Sequence, residues 1–408
     1  LETLGERIRK LRKEKGLTLE ALAGSGLTKG MLSLIENSKA NPSMESLSYI
    51  AERLDIDKNE LLAEIPTSEL RELLQEVEKM YRIEAENFTE GFIHIAEKIE
   101  PYVASLPYRY ESARLLELYS RSLYYAKKEG WQVPLSKAEE MYEGLHLMNN
   151  SADIHMFRST LKFNEHRYHE SLAMIQESRK SFEARDVVLD SLKKLDFDFV
   201  EAILYFAIGD DEDAVRIINE AVEYSKEHQI FYKMNDLYRV MSFHAILKND
   251  QQMKDYYVHK LRLFAEFSDD EKITITLDLL EAHYLNSFTH EYEKAEAVVD
   301  RNLEKYKEDE ISQFFLEKGK ALYGQGRSEE ALGWLKRHKI WEFLHHPYDL
   351  AMNYEKDAYM ALIYEQQGQH ELAVEHARIA KENILPMPEL PYKKFILDVY
   401  RQIGNLHK

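Results

Sequence analysis

His166 and His169 stand three residues apart in NEHRYHES, a spacing at which two imidazoles on one helical face can share a divalent cation. His345 and His346 form a second pair just before Pro347. No HExxH occurs, and the first pair falls where the chain reads as a turn, so surface or loop histidines and no metal site are expected. Gly324 and Gly326 make a lone GxG with no strand before it, and no Gly-Lys-Ser/Thr exists to build a phosphate loop. Zero cysteines remove disulfides, thiolate zinc sites, iron–sulfur clusters and thiol nucleophiles. Gln176, Gln313 and Gln366 are the residue type that positions water at a phospho-aspartate, yet nothing ranks one above another. The carboxylates are spread along helices, where a solvated face is the ordinary role. No catalytic centre, metal or cofactor is expected.

The elements that carry these residues read as helices. Among 408 residues there are 15 Gly and 9 Pro, too few for turn-rich β structure, against 26 Tyr. Hydrophobic residues at 44% and charged ones at 31% describe a folded chain. No apolar run approaches the roughly 18–20 residues that span a bilayer, and no secretory signal opens the chain, so a soluble cytoplasmic protein with no membrane partner is expected. The net charge of −19 opposes nonspecific coating of DNA. Locally the balance differs: residues 1–41 carry eight basic and five acidic groups, whereas residues 66–408 carry 44 and 62. A nucleic-acid surface therefore belongs at the N-terminus. A boundary is expected at Pro66, followed by Thr67 or Ser68 as a helix cap.

The first 65 residues read as five short helices. Leu4, Ile8 and Leu11 keep helical spacing up to Gly16; Thr18 caps a second helix holding Leu22; the turn Gly24 to Gly26 leads to a third, capped by Thr28 and running through Asn37. After the loop SKANP, Ser43 caps a fourth helix with Leu47, Ile50, Ala51 and Leu54 on one face, and a short fifth holds Leu61 and Leu62. Two helices joined by a tight Gly-containing turn form a helix-turn-helix, whose second helix enters the major groove. The run LRKEKGLTLEALA…GLTKGMLSLIENSKANPSMESLSYIAERLDI resembles the DNA-binding domain of the phage-repressor/xenobiotic-response-element family. That resemblance implies that Leu27, Leu32 and Ile35 are core residues of the recognition helix and that Arg12 and Glu36 form a structural ion pair. It also implies that Thr28, Lys29, Gly30, Ser33 and Asn37 face DNA, with Lys39 and Asn41 near phosphates. The chain departs from the family pattern at Leu19, where Gln is usual, and at Leu34, where a basic residue is common. With Met31, these make the expected DNA face unusually apolar.

Beyond Pro66 one theme recurs: a turn, two or three polar residues, then a small residue that opens an apolar-periodic helix. It ends at Ser171, Ala214, Ala295, Ala331 and Ala373, with a weaker copy at Met253, at spacings of 43, 39, 42, 36 and 42 residues. Gly319 with Ala331, and Ala361 with Ala373, sit twelve apart, where two packed helices need small residues. The array resembles tetratricopeptide repeats over roughly residues 150–385, preceded by two degenerate helix pairs beginning at Leu70, Leu73, Leu74, Val77 and Tyr81, and closed by a helix after Pro391. The expected fold is all-α: a five-helix helix-turn-helix domain over 1–65, then a right-handed superhelix of tetratricopeptide-like pairs over 66–408. Such arrays bind extended peptides on their concave face. With the small residue as register, the groove side of each first helix takes Thr160, Asn164, Asp196, Phe199, Asn235, Tyr238, Ser242, Lys320, Tyr323, Asn353 and Tyr354. Arg158, Lys162 and Arg239 are placed to receive a carboxylate.

A repressor-type helix-turn-helix joined to such an array resembles the peptide-pheromone-responsive regulators of Gram-positive bacteria, the Rap/Rgg/NprR/PlcR/PrgX group. TKGMLSLIENSKANPSMESL is most similar to their neutral-protease-regulator branch. The resemblance implies a quorum-sensing transcriptional regulator that binds double-stranded promoter DNA and a short signalling peptide. It also implies a homodimer or higher homo-oligomer whose state the peptide changes. A second implied role is sequestering a response regulator of a sporulation phosphorelay, with the helix-turn-helix vestigial.

Overall fold

The computed structural model describes residues 3–58, 61, 65–84, 88–307 and 311–406. All regular elements among them are helical. The chain forms two compact units, Leu1–Ile154 and His155–Lys408. The expected boundary at Pro66 thus lies inside the first unit.

In the first unit, α1 (Leu4–Glu14), α2 (Leu19–Ala23), α3 (Lys29–Glu36) and α4 (Met44–Arg53) surround a core of Ile8, Leu22, Leu32, Ile35, Leu47, Ile50 and Leu54. The N-caps are Thr3, Thr18, Thr28 and Ser43, each accepting the backbone N–H three residues on, which satisfies donors a helix start leaves orphaned. Leu61 is fully buried in the same core; the rest of the expected fifth helix, Leu62 included, lies outside the described residues. α5 (Thr67–Glu84) starts at Thr67, so neither Thr67 nor Ser68 is an external cap; Thr67 instead accepts a hydrogen bond from Arg109. α5 packs on α6 (Phe88–Ile99), and α7 (Tyr110–Tyr125) packs on α8 (Gln132–Gly144), the two expected pairs. The buried Glu117 carboxylate of α7 ties α7 to α8, held by Arg114 at 2.8 Å, Arg121 at 2.9 Å and the Tyr142 hydroxyl at 2.8 Å.

The division between units falls within α9 (Met148–Asn164). The second unit continues as α10 (Tyr168–Ala184), α11 (Ser191–Ile208), α12 (Asp211–Glu227), α13 (Met234–Leu247), α14 (Gln251–Ser268), α15 (Glu271–Tyr284) and α16 (Tyr292–Lys305). Then follow α17 (Phe314–Gly324), α18 (Ser328–Arg337), α19 (Pro347–Gln366), α20 (His370–Ile384) and α21 (Pro391–Leu406). From α11 to α20 the helices pack as consecutive pairs, α11 with α12 through α19 with α20. Ser171, Ala214, Ala295, Ala331 and Ala373, the fourth residues of their helices, are fully buried where the pairs meet. A Cβ on Gly319 would come within 2.6 Å of Leu335, so only glycine lets α17 approach α18 this closely. The weak copy was one residue out of phase: Met253 is exposed, and the fourth residue of α14 is Lys254, whose ammonium lies 3.8 Å from the Tyr284 ring centroid. α21 packs on α19 and α20 through buried Ile396, Val399 and Ile403, capping the apolar end of the array.

Candidate DNA-reading helix and ligand pocket

α3 is placed by two locks. Arg12 of α1 holds Glu36 in a two-pronged ion pair, Nε to Oε1 at 2.6 Å and Nη2 to Oε2 at 2.9 Å, and its third arm donates to the Leu17 carbonyl at 2.8 Å. The implied structural pair is therefore present, with both side chains largely buried. The second lock is the turn between α2 and α3. Gly24 has φ 53° and ψ −136°, a backbone region open only to glycine, and Arg53 and Tyr49 of α4 close over it. Tyr49 Oη accepts from Gly26 N–H at 3.0 Å, and Arg53 donates to the Leu22 and Ala21 carbonyls.

With Leu32 and Ile35 buried and Leu27 partly so, the opposite side of α3 faces solvent. Thr28, Lys29, Gly30 and Asn37 are exposed there, Ser33 is half-buried, and Lys39 and Asn41 are exposed in the following turn. Lys29 pairs with Glu20, and the Asn37 amide donates to the Ser33 carbonyl at 2.7 Å. Leu19 does not join this face: it is partly buried against the core, while Met31 and Leu34 remain exposed.

In the second unit the first helices α11, α13, α15 and α19 converge on a cavity of about 360 Å3. Its walls are apolar: Phe199 and Ile203 from α11, Val240 and Phe243 from α13, Leu279 and Leu280 from α15, and Met352 from α19. Arg239 and Asp349 are the charged groups on its lining. The segment between α18 and α19 crosses one side with Phe343, Leu344, His345 and His346. It is pinned by two long-range bonds, Tyr168 Oη to the His345 carbonyl at 2.8 Å and His346 Nε2 to the Ile203 carbonyl at 3.2 Å, and just beyond it Tyr348 Oη of α19 donates to Asp211 at 2.6 Å. Burial pushes the imidazoles of His244, His345 and His346 below the ordinary histidine range, with His166 adding to the effect at His345. They are neutral at pH 7 and add no cation to the cavity.

The cavity floor includes His283, the start of a buried polar network. His283 Nδ1 donates to Glu317 at 2.8 Å, and its Nε2 is hydrogen-bonded to Tyr392 Oη of α21 at 2.7 Å. Lys320 meets Glu355 at 2.7 Å, Glu317 at 3.3 Å and Ser287 at 2.6 Å. A π-turn at Leu285–Thr289 extends α15 and delivers Asn286, whose amide donates to Glu317 at 2.8 Å. Burial alone would raise the Glu317 carboxyl, but Lys320 and His283 outweigh it and hold the pKa at about 2.

These positions sort the expected groove residues. Phe199 and Arg239 line the cavity. Tyr238, Ser242, Lys320 and Asn353 are buried instead: Ser242 bonds back to the Tyr238 carbonyl, and Asn353 Oδ1 bonds His338 Nε2 at 2.7 Å. Asp196 accepts from Tyr232 at 2.7 Å and from Lys193, Lys162 pairs with Glu165, and the Thr160 hydroxyl returns to the Met156 carbonyl. Arg158, Asn164, Asn235, Tyr323 and Tyr354 are half-buried outside the cavity lining. Sequence reasoning missed Ile203, Phe243 and the α15 wall, which lie one turn beyond the chosen register or on a helix it skipped; the His-His-Pro before α19 was the available signal for the crossing segment. Gln176 donates to Tyr205, Gln366 donates to Tyr323, and Gln313 Oε1 is buried, three separate places that make no joint site. His166 lies in the expected turn with its ring 5.7 Å from that of His345, and no group of three or more metal-binding side chains occurs among the described residues. No described helix is long and apolar enough to cross a membrane.

A helix-turn-helix domain family matches residues 5–65. Over 82 residues the chain is 40% identical to the HTH-type transcriptional regulator SinR of Bacillus subtilis (strain 168), covering 19% of this chain and 74% of that protein. SinR of Bacillus licheniformis is 43% identical over 63 residues, 15% of this chain and 57% of its own. Among solved structures, Bacillus thuringiensis PlcR in complex with the peptide PapR7 and DNA aligns at TM-score 0.32 and 19% identity, over 72% of this chain and 99% of that one. A tetratricopeptide repeat protein from Parabacteroides merdae aligns at TM-score 0.46 and 12% identity, over 72% and 100%. By its N-terminal segment, with the capped α2–turn–α3 unit locked by Arg12 and Glu36, the chain belongs to the HTH-type transcriptional regulators.

Proposed function

We propose that residues 1–65 bind double-stranded promoter DNA through α3, with Thr28, Lys29, Gly30, Ser33, Asn37, Lys39 and Asn41 at the contact. Residues 66–408 are the sensing and oligomerisation region, and the α11–α13–α15–α19 cavity is where a short signalling peptide inserts apolar side chains. The observation that carries the peptide reading is that cavity: about 360 Å3, mostly apolar, with Arg239 at its lining to meet a carboxylate. Its volume holds two or three side chains rather than a whole peptide, so the remaining residues lie along the first helices. One such DNA module covers a single half-site, and two half-sites one helical turn apart call for a two-fold partner, so the working species is a homodimer or higher homo-oligomer in the cytoplasm. The peptide acts by binding two arrangements of the chain with different affinity.

Calorimetric titration of the full chain with pools of synthetic heptapeptides, drawn from small open reading frames beside the gene, tests the receptor reading. One pool should give saturable heat, and Phe243→Ala should weaken it about tenfold. Absence of heat with every pool removes the reading.

A further inference from the structure

Through residue 58 the described chain leaves three large apolar side chains exposed: Met31 at 46%, Leu34 at 45% and Met44 at 57%. Two of them stand one helical turn apart along α3, on the flank beside the buried Leu32 and Ile35. A surface helix ordinarily gives that face to polar groups. Here the polar candidates are engaged or absent. Lys29 is drawn to Glu20, the Asn37 amide is bonded to the Ser33 carbonyl, and Gly30 has no side chain, with open space where one would be. The exposed large side chains along α3 are thus a thioether and an isobutyl group, not hydrogen-bonding groups. Its surroundings nonetheless suit a polyanion. Between Thr28 and Ser43 the sole carboxylate is Glu36, which is buried against Arg12, while Thr28 is exposed at the start of α3 and Lys39 and Asn41 are exposed in the turn after it.

In the major groove the one apolar group that base edges present is the C5-methyl of thymine. We propose that Met31 and Leu34 are the specificity-determining residues of this regulator and that they read thymine methyl groups, one cluster in each half-site. This rests on the reading of α3 as the DNA-binding helix. The donors around them fix the helix on phosphates and carry little sequence information. Recognition by burial of a methyl against a side chain distinguishes thymine from cytosine and from uracil. A bidentate Arg or Asn contact would select guanine or adenine instead.

The full chain is used to select duplexes from a randomised library. The best site is then remade with deoxyuridine replacing each thymidine in turn, which removes the methyl and keeps the base pair. The expected result is a site with thymines at fixed positions in each half, where loss of a methyl weakens binding about fourfold. At one of these positions Leu34→Ala should abolish the difference between thymine and uracil, and Met31→Ala should do so at another. Both side chains are exposed, so the variants fold. Equal binding of thymine and uracil duplexes by the wild-type chain overturns the proposal while leaving DNA binding intact. So does a Leu34→Ala chain that weakens on both duplexes alike, since that marks a merely structural role. If no duplex is enriched or bound at all, the reading of α3 itself fails and the proposal falls with it.

Discussion

Two buried carboxylates show how single residues set the architecture. Glu36 is held by Arg12, and Glu317 by His283, Lys320 and Asn286, each inside a helix junction where an unpaired charge would cost several kcal/mol. The first pair was legible because its two positions match a family pattern. The second was not, since helical periodicity names a face but does not say that Lys320 will meet two carboxylates there. Glu317 gives a prediction with a definite sign. Its folded pKa of about 2 lies below the ordinary 4.5, so its stabilisation is present above pH ~4.5 and is lost as pH falls toward 2. Denaturant midpoints measured from pH 7 to pH 2.5 should therefore converge for wild type and Glu317→Gln as the solution becomes acid. At neutral pH the variant should be less stable by about 3 kcal/mol, because Lys320 keeps only one carboxylate partner. Parallel midpoint curves would contradict the assigned network.

At the scale of elements, the α2–turn–α3 unit depends on one backbone angle. Gly24 sits at φ 53° and ψ −136°, and a Cβ there would also meet Tyr49 Oη and the Arg53 guanidinium. Gly24→Ala should cost about 1–3 kcal/mol in thermal unfolding of the first unit and weaken operator binding, since α3 is no longer held against α4. A variant with unchanged melting would show that the turn is not what fixes α3. This part of the fold was readable in advance, because Thr18, Thr28 and Ser43 announce each helix start and the glycines announce the turn. The pairs of the array were readable for a similar reason: the small residues at Ser171, Ala214, Ala295, Ala331 and Ala373 are fully buried. The phase of α14 was not, because Lys254 fills the position where its neighbours carry a small residue, and no small residue marks the register.

For the molecule as a whole, the candidate pocket is the feature least visible in sequence. It gathers residues from five helices and a crossing segment, tied by bonds such as Tyr168 to His345 and His346 to Ile203 that span 177 and 143 residues. No local pattern encodes contacts at such separation; only Phe199 and Arg239 of the expected groove residues reached the lining. From the pocket, His283 leads to Tyr392 on the terminal helix α21, giving the cavity a buried connection to the end of the chain. In the proposed receptor, a peptide that shifts His283 reaches α21 through this bond, which is the proposed route from cavity to assembly. The most direct measurement is light scattering coupled to size exclusion on the full chain, with and without the heptapeptide pools. The account predicts that at least one peptide changes the molar mass and that Phe243→Ala prevents the change. A mass unaltered by every peptide would contradict a peptide-controlled assembly.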